Sequence, residues 1–448
     1  MAINPLSRLE RIPVWPYSYK LLIMLGLGYF FSFFDITNVA YGIPVIQSQF
    51  HASLSAVSQA ITFSLFGYIV GAMIVSVISD YWGRRTSLII GILLYTIGSI
   101  ATAFSPNLIW LVAWRFIVGM GIGTMIVQVS TYMGEISPAA FRGRFTGLTN
   151  LFAFAGLAAA PFIALAVVPE FSWGWRALLF FGGLGGLTIL FMSKDLIESP
   201  RWLLIHNRVE ECEQIVEKAE KCALQKLNGK PLPALIAIPS EAKPKGFPIL
   251  ELLRPPYLWR TLVLVSYFLL WYIGDYAYLG LAPTFLVKGG FGLAGSIGFS
   301  AISGLGFVAG ALFVWLYGDR FERKTSVIVT GIIGSISMFI MGAFPTFVTV
   351  IICGFLFTVT IAVLSILGYV ITAEHFPTRA RSSGLAICDG VGHLGGAMAP
   401  AIALWANASF GFKGGFFLMG VTTLACLIFI STTVRATRKS LETVTDAA

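Results

Sequence analysis

Twelve apolar runs, each long enough to cross roughly 30 Å of hydrocarbon, alternate with short polar stretches along the chain. They lie near 20–46, 57–79, 87–104, 108–133, 145–168 and 176–193, then near 260–287, 297–317, 325–343, 346–373, 382–406 and 414–434. Lipid offers the backbone no hydrogen-bond partner, so every run is predicted to be an α-helix. The pattern reads as six spans, a polar linker over 194–259, and six more. It predicts an all-α integral membrane protein of two six-helix bundles, 1–193 and 260–448, joined by a helical linker. In the linker, Val209, Cys212, Val216, Ala219 and Ala223 recur at helical spacing among acids and lysines, which predicts an amphipathic helix. Pro231, Pro233, Pro239 and Pro244 predict a loop after it, and a short helix is expected around 248–253 before Pro255 and Pro256.

The two sets of six are copies of one unit. The polar stretch Asp80-Tyr81-Trp82-Gly83-Arg84-Arg85-Thr86-Ser87 returns 239 positions later as Asp319-Arg320-Phe321-Glu322-Arg323-Lys324-Thr325-Ser326. The same offset pairs Glu135 with Glu374, Arg142 with Arg381, Pro44 with Pro283, Gly67 with Gly306 and Gly71 with Gly310. Apolar coincidences are cheap in such a chain. Charged ones are not, because only 21 acids and 30 bases are available.

Composition sharpens the membrane reading. Hydrophobic residues make up 57% and charged residues 11% of the 448, against roughly 25% charged in soluble domains. The net charge of +9 is topological. Arg176, Lys288 and Lys413 fall in one set of loops and Arg115 inside a span, while all other lysines and arginines fall at the termini, in the linker or in the opposite loops. By the positive-inside rule both termini and the linker are expected in the cytoplasm, and nucleic acid is not an expected partner. Five cysteines without Cys-x-x-Cys spacing suggest neither a metal nor a disulfide framework. Gly290-Phe291-Gly292-Leu293-Ala294-Gly295 fits a nucleotide-binding pattern in letters only, since no strand precedes it. No cofactor is expected.

A few charges lie where charge is costly. Asp35 sits deep in the first span and Arg115 in the fourth. At the centre of a bilayer each costs roughly 2.5–3.5 kcal/mol on insertion scales, so both are expected to face the bundle interior and to pair. Protonating Asp35 would then release Arg115, a proton-operated latch. A static pair that only fixes packing is the plainer alternative. The repeat counts against it, because Gly274 and Gly354 occupy the matching positions. Asp275, in an aromatic-rich seventh span, and Asp389 and His393, four apart in the eleventh, are further candidates. The repeated loops suggest a charge network of Asp80, Gly83, Arg84, Arg85, Glu135 and Arg142 in one half, and Asp319, Arg323, Glu374 and Arg381 in the other. There an acid is expected at a neighbouring helix N-terminus, bridging to a base across the halves and gating the cytoplasmic side.

These residues carry a resemblance to the major facilitator superfamily over essentially the whole chain. Asp80 to Arg85 resembles its loop motif between spans two and three, with Ser76 in place of the usual first Gly. Arg115 with Gly119, Gly121 and Gly123 is similar to its fourth-span pattern. Glu198-Ser199-Pro200-Arg201-Trp202-Leu203 resembles the motif after span six in sugar porters, aromatic-acid symporters and organic-ion transporters. Tyr369, Glu374, Phe376-Pro377-Thr378 and Arg381 resemble the span-ten motif of the same groups.

The resemblance implies alternating access around a central cavity, with Asp35 and Arg115 at the proton-coupling positions. The sugar porters' span-seven glutamine pair is replaced by Ile273-Gly274-Asp275, and 145–168 contains no Gln. His393-Leu394-Gly395-Gly396 is similar to the span-eleven site of organic-ion transporters. The resulting expectation is a monomeric inner- or plasma-membrane symporter of protons and a small organic acid. Asn38, Gln128, Asn150, Trp271, Tyr272, Asp275, Tyr276, Asp389 and His393 are the solute contacts, and Phe30 and Phe34 further cavity candidates. A proton-linked sugar symporter, and a passive uniporter or sensor, are the alternatives. No enzymatic constellation is present.

Overall fold

The computed structural model describes residues 5–138, 142–192, 195–235, 252–255, 257–318, 320–376 and 381–434, leaving aside the side chains of 76–77, 142–144, 188–192 and 381–382. The described residues form helices and connecting turns, with no strand among them. A short helix α1 (Pro5–Glu10) precedes the six long helices of the first half: α2 (Tyr19–Phe50), α3 (Leu54–Trp82), α4 (Arg84–Ala103), α5 (Leu108–Ile136), α6 (Arg142–Val167) and α7 (Gly174–Met192). The linker contributes α8 (Pro200–Ile205) and α9 (Val209–Lys226). The second half contains α10 (Tyr257–Leu286), α11 (Leu293–Tyr317), α12 (Arg323–Ala343), α13 (Phe347–Glu374) and α14 (Arg381–Ser431). Gly411, at φ +67, divides α14 into the last two spans. A side chain there would strain the backbone.

Local chemistry sets the helix starts. Ser53, Asn107, Glu322 and Thr346 cap α3, α5, α12 and α13 through their side-chain oxygens, satisfying N–H groups that no carbonyl of the helix can reach. The repeat is visible in the packing. Gly67 and Gly71 of α3 lie against the α5 carbonyls of Phe116 and Met120, and Gly306 and Gly310 of α11 lie against the α13 carbonyls of Phe355 and Val359. A methyl group at any of the four would collide with its neighbour, so the small residues set how closely each pair of helices packs. The halves meet along α6 with α11, α3 with α14, and α2 with α10.

On the face that carries the α3–α4 turn, the linker covers the first half. The amphipathic helix forms, with Cys212, Val216, Ala219 and Ala223 buried as the spacing predicts and Val209, its first residue, exposed. Trp202 Nε1 donates to the Asp80 carbonyl at 2.9 Å, and the Tyr132 hydroxyl to the Ile197 carbonyl at 2.7 Å. The N-terminal segment is strapped over α9 by ion pairs from Arg8 (2.6 Å) and Arg11 (2.7 Å) to Glu220, and Glu10 pairs with Arg201. Most of the short helix expected around 248–253, and of the proline-rich loop before it, lies outside the described residues.

Candidate functional site

A small cavity lies between the halves. One face of α3 supplies Ile61, Ser64, Leu65 and Tyr68, spaced i, i+3, i+4, i+7 and therefore on one side of the helix. Ile36 of α2, Arg115, Gly119 and Ile122 of α5, and Tyr276 of α10 complete the wall. Arg115 is 1% exposed. Its Nη2 donates to the main-chain carbonyl of Asp35 at 2.9 Å and to the Ser64 hydroxyl at 3.2 Å. Its Nε and Nη1 have no hydrogen-bond partner.

The expected ion pair between Asp35 and Arg115 is therefore corrected: the two side chains form none. Ile36 faces the cavity, and Asp35, one residue and about 100° earlier on α2, turns its carboxylate away toward α4 and α7. There it accepts from Ser99 Oγ at 2.6 Å and from Asn38 Nδ2. Gly182 of α7 leaves room for the carboxylate, since a side chain there would occupy the same space. The two charges remain close enough to attract one another.

Behind the cavity wall stands a polar cluster in the second half. Asp389 accepts from Tyr369 (2.5 Å) and Tyr272 (2.7 Å) at Oδ1, and from Tyr68 at Oδ2 (3.2 Å). Tyr68 belongs to the first half, so this hydrogen bond crosses between them, and its ring also stacks on His393 at 4.0 Å. His393 Nδ1 lies 2.8 Å from the Asp389 carbonyl, which can only accept, so Nδ1 carries the proton. In the neutral ring Nε2 then accepts from the Tyr276 hydroxyl at 3.1 Å.

Of the nine expected solute contacts, only Tyr276 lines the cavity. Tyr272, Asp389 and His393 form the layer behind it, and Asn38 holds Asp35. Trp271 packs on Phe357, Asp275 is buried in α10 outside the wall, and Asn150 is half-buried on α6 outside it. Gln128 is misplaced most clearly. Its Oε1 accepts from Ser79 (2.7 Å) and Ser87 (3.2 Å), beside the Arg84 network at the helix ends. Phe34 packs on Phe181 of α7, and Phe30 on Phe31; neither lines the cavity. Ser64, Tyr68 and the aliphatic wall were not anticipated, although the α3 spacing of 61, 64, 65 and 68 was available in the sequence.

The charge network forms in both halves at repeat-related positions. Arg84 pairs with Glu135 (3.1 Å) and Asp80 (2.6 Å), and Arg323 pairs with Glu374. Among the described residues these pairs stay within their own half, where a bridge across the halves was expected. The acid at the helix N-terminus is Glu198, not Asp80. Its carboxylate accepts from the backbone N–H of Arg84 (2.8 Å) and Arg85 (3.4 Å), where Gly83 turns the chain at φ +95. Asp319 lies outside the described residues, as do the side chains of Arg142 and Arg381.

Comparison with known proteins agrees with this architecture. The family model described as "Sugar (and other) transporter" matches residues 22–447. The niacin transporter NiaP of Acinetobacter baylyi is 28% identical over 403 residues, covering 88% of this chain and 89% of its own. An arabinose-proton symporter of Bacillus subtilis is 28% identical over 439 residues, covering 93% and 92%. The solved inward-open structure of the xylose transporter XylE from E. coli superposes with a TM-score of 0.73 at 19% identity, covering 96% of this chain and 99% of that one, a likeness of fold. The chain belongs to the sugar (and other) transporter family of the major facilitator superfamily, as a multi-pass membrane transporter and not an enzyme.

Proposed function

We propose that the protein is a proton-coupled symporter of a small organic acid, working by alternating access of the bundles 1–193 and 260–448 about the linker 194–259. Both termini lie in the cytoplasm, a reading supported by the distribution of lysine and arginine. The observation that carries the proposal is Arg115: a guanidinium buried in the wall of the central cavity with two nitrogens unpartnered. A buried cation in that state is stabilised by an anion delivered to it. Asp35 takes the coupled proton. Its carboxylate and the group that holds Arg115 belong to one residue, so protonation changes the field that Arg115 feels without an ion pair having to break.

The names of the relatives stand on both sides of the substrate question, niacin being a carboxylic acid and arabinose a neutral sugar. The cavity wall, with its single cation, supports the acid. Uptake into proteoliposomes under an imposed inward proton gradient, across a pooled library of carboxylates and sugars, tests the reading. Accumulation of a carboxylate that collapses with the gradient is expected. Uptake independent of pH would make the protein a uniporter, and accumulation of neutral sugars alone would remove the acid.

A further inference from the structure

The cavity wall narrows the solute further, on the premise that the proposed organic-acid transport is correct. Each hydroxyl in the wall already has a partner within the protein. Ser64 Oγ accepts from Arg115, the Tyr68 hydroxyl donates to Asp389, and the Tyr276 hydroxyl faces His393 Nε2. The unpartnered polar atoms of the wall are Arg115 Nε and Nη1. Everything else the solute meets there is aliphatic or aromatic.

We infer that the solute is a monocarboxylate with a flat, apolar ring and few or no hydroxyls. Its carboxylate meets Arg115, and its ring lies against Tyr68 and Tyr276. A second anionic group would face no second cation in the wall. Ring hydroxyls would leave water for a surface whose tyrosine hydroxyls are already engaged and whose free donors, on Arg115, the carboxylate takes, and each buried hydroxyl without a good partner is costly. Aromatic walls also favour a planar body through edge and offset contacts. Tyr68 and Tyr276 are thereby specificity-determining. The hydrogen bonds that their phenols donate to Asp389 and His393 hold the hydroxyls away from the solute, which keeps the wall apolar in behaviour.

The test uses the full-length protein in detergent, with thermal stabilisation as the readout and benzoate, gluconate and xylose as probes. Benzoate is expected to stabilise at a concentration at least about tenfold lower than gluconate, the ratio set by about one unsatisfied hydroxyl. Xylose should not stabilise. Gluconate equal to or better than benzoate overturns the inference while leaving organic-acid transport standing. Stabilisation by xylose alone, or by none of the three, overturns it as well, and xylose alone also removes the proposed function. Within the preferred class, Tyr276→Phe should retain benzoate binding, and Tyr276→Asn should weaken it while improving gluconate relative to benzoate. An unchanged ratio in Tyr276→Asn, in a variant that still melts cooperatively, counts against a role for Tyr276 in selection.

Discussion

Arg115 holds Asp35 by its backbone. The guanidinium Nη2 donates to the Asp35 carbonyl at 2.9 Å while the Asp35 carboxylate points the other way, to Ser99 and Asn38. One residue thus carries two separate functions: a fixed acceptor that positions the cation in the cavity wall, and a carboxylate in a polar niche one helix face away. The cation is left with donor capacity for a solute, which a direct ion pair would have consumed.

Substituting Asp35→Asn should remove uphill accumulation and spare the exchange of labelled solute across the membrane. The carbonyl that holds Arg115 survives the change, and the side chain that takes the proton does not. Uptake and counterflow in proteoliposomes separate the two. An Asn variant that still concentrates solute against its gradient would show that Asp35 does not carry the proton.

Tyr68→Phe deletes the hydroxyl that reaches Asp389 across the halves and keeps the ring on His393. Asp389 retains Tyr272 and Tyr369, so the net loss is about 1 kcal/mol. Because the lost bond joins the halves, the expected effect is a shift in the balance between closed and open forms, with little change in fold. Accessibility of cysteines introduced along the α3–α14 interface reads this directly. Identical labelling in wild type and variant would mean that the hydroxyl does not hold the halves together.

Glu198→Gln keeps the size of the side chain and removes the charge at the start of α4. Backbone N–H groups of Arg84 and Arg85 lose a charged acceptor at a helix N-terminus, where a carboxylate is worth about 0.3–1 kcal/mol. A lower melting temperature is expected in detergent, with a larger drop for Glu198→Ala, which also loses the hydrogen bonds. Gln matching wild type would leave the charge without a role there.

The N-terminal strap should be sensitive to acid. Burial alone would raise the Glu220 pKa, but hydrogen bonds from Arg8 and Arg11, with their charges, outweigh it and hold the carboxyl below its ordinary value. A depressed pKa in the docked state means that the contribution is full above the free value of about 4.3 and is lost as pH falls through the lower, docked value. Limited proteolysis of the first twenty residues should therefore be slow at neutral pH and accelerate in acid below that range. Glu220→Gln should cleave quickly at every pH. Equal cleavage of the two proteins at neutral pH would show that these ion pairs do not hold the strap.

Much of this protein was legible in its sequence because the bilayer permits so few structures. Once runs of twenty apolar residues must satisfy their own backbones, the long helices follow, with ends that differ from the apolar runs by a few residues. The offset that pairs Arg84 with Arg323 and Glu135 with Glu374 marked the members of an ion pair made twice, though not which of them would join. The existence of an amphipathic helix in the linker followed from spacing alone, and its bounds, Val209–Lys226, came from the structure. The sequence likewise marked Asp35 and Arg115 as buried charges, since their cost in lipid does not depend on what they touch.

Only the tertiary structure decided what those charges face. A step of one residue turns a side chain by about 100° on a helix, so Ile36 lines the cavity and Asp35 does not, a distinction that polarity alone cannot reveal. Gln128 was polar and deep enough to suit a solute, yet it rests on Ser79 and Ser87 beneath the charge network. Tyr68 looked like one aromatic among many. It became a cavity residue, and the bond between the halves, because helices from opposite ends of the chain bring it to Asp389, 321 positions away. Sequence fixes which groups must be buried, and rotation and packing of the helices choose their partners.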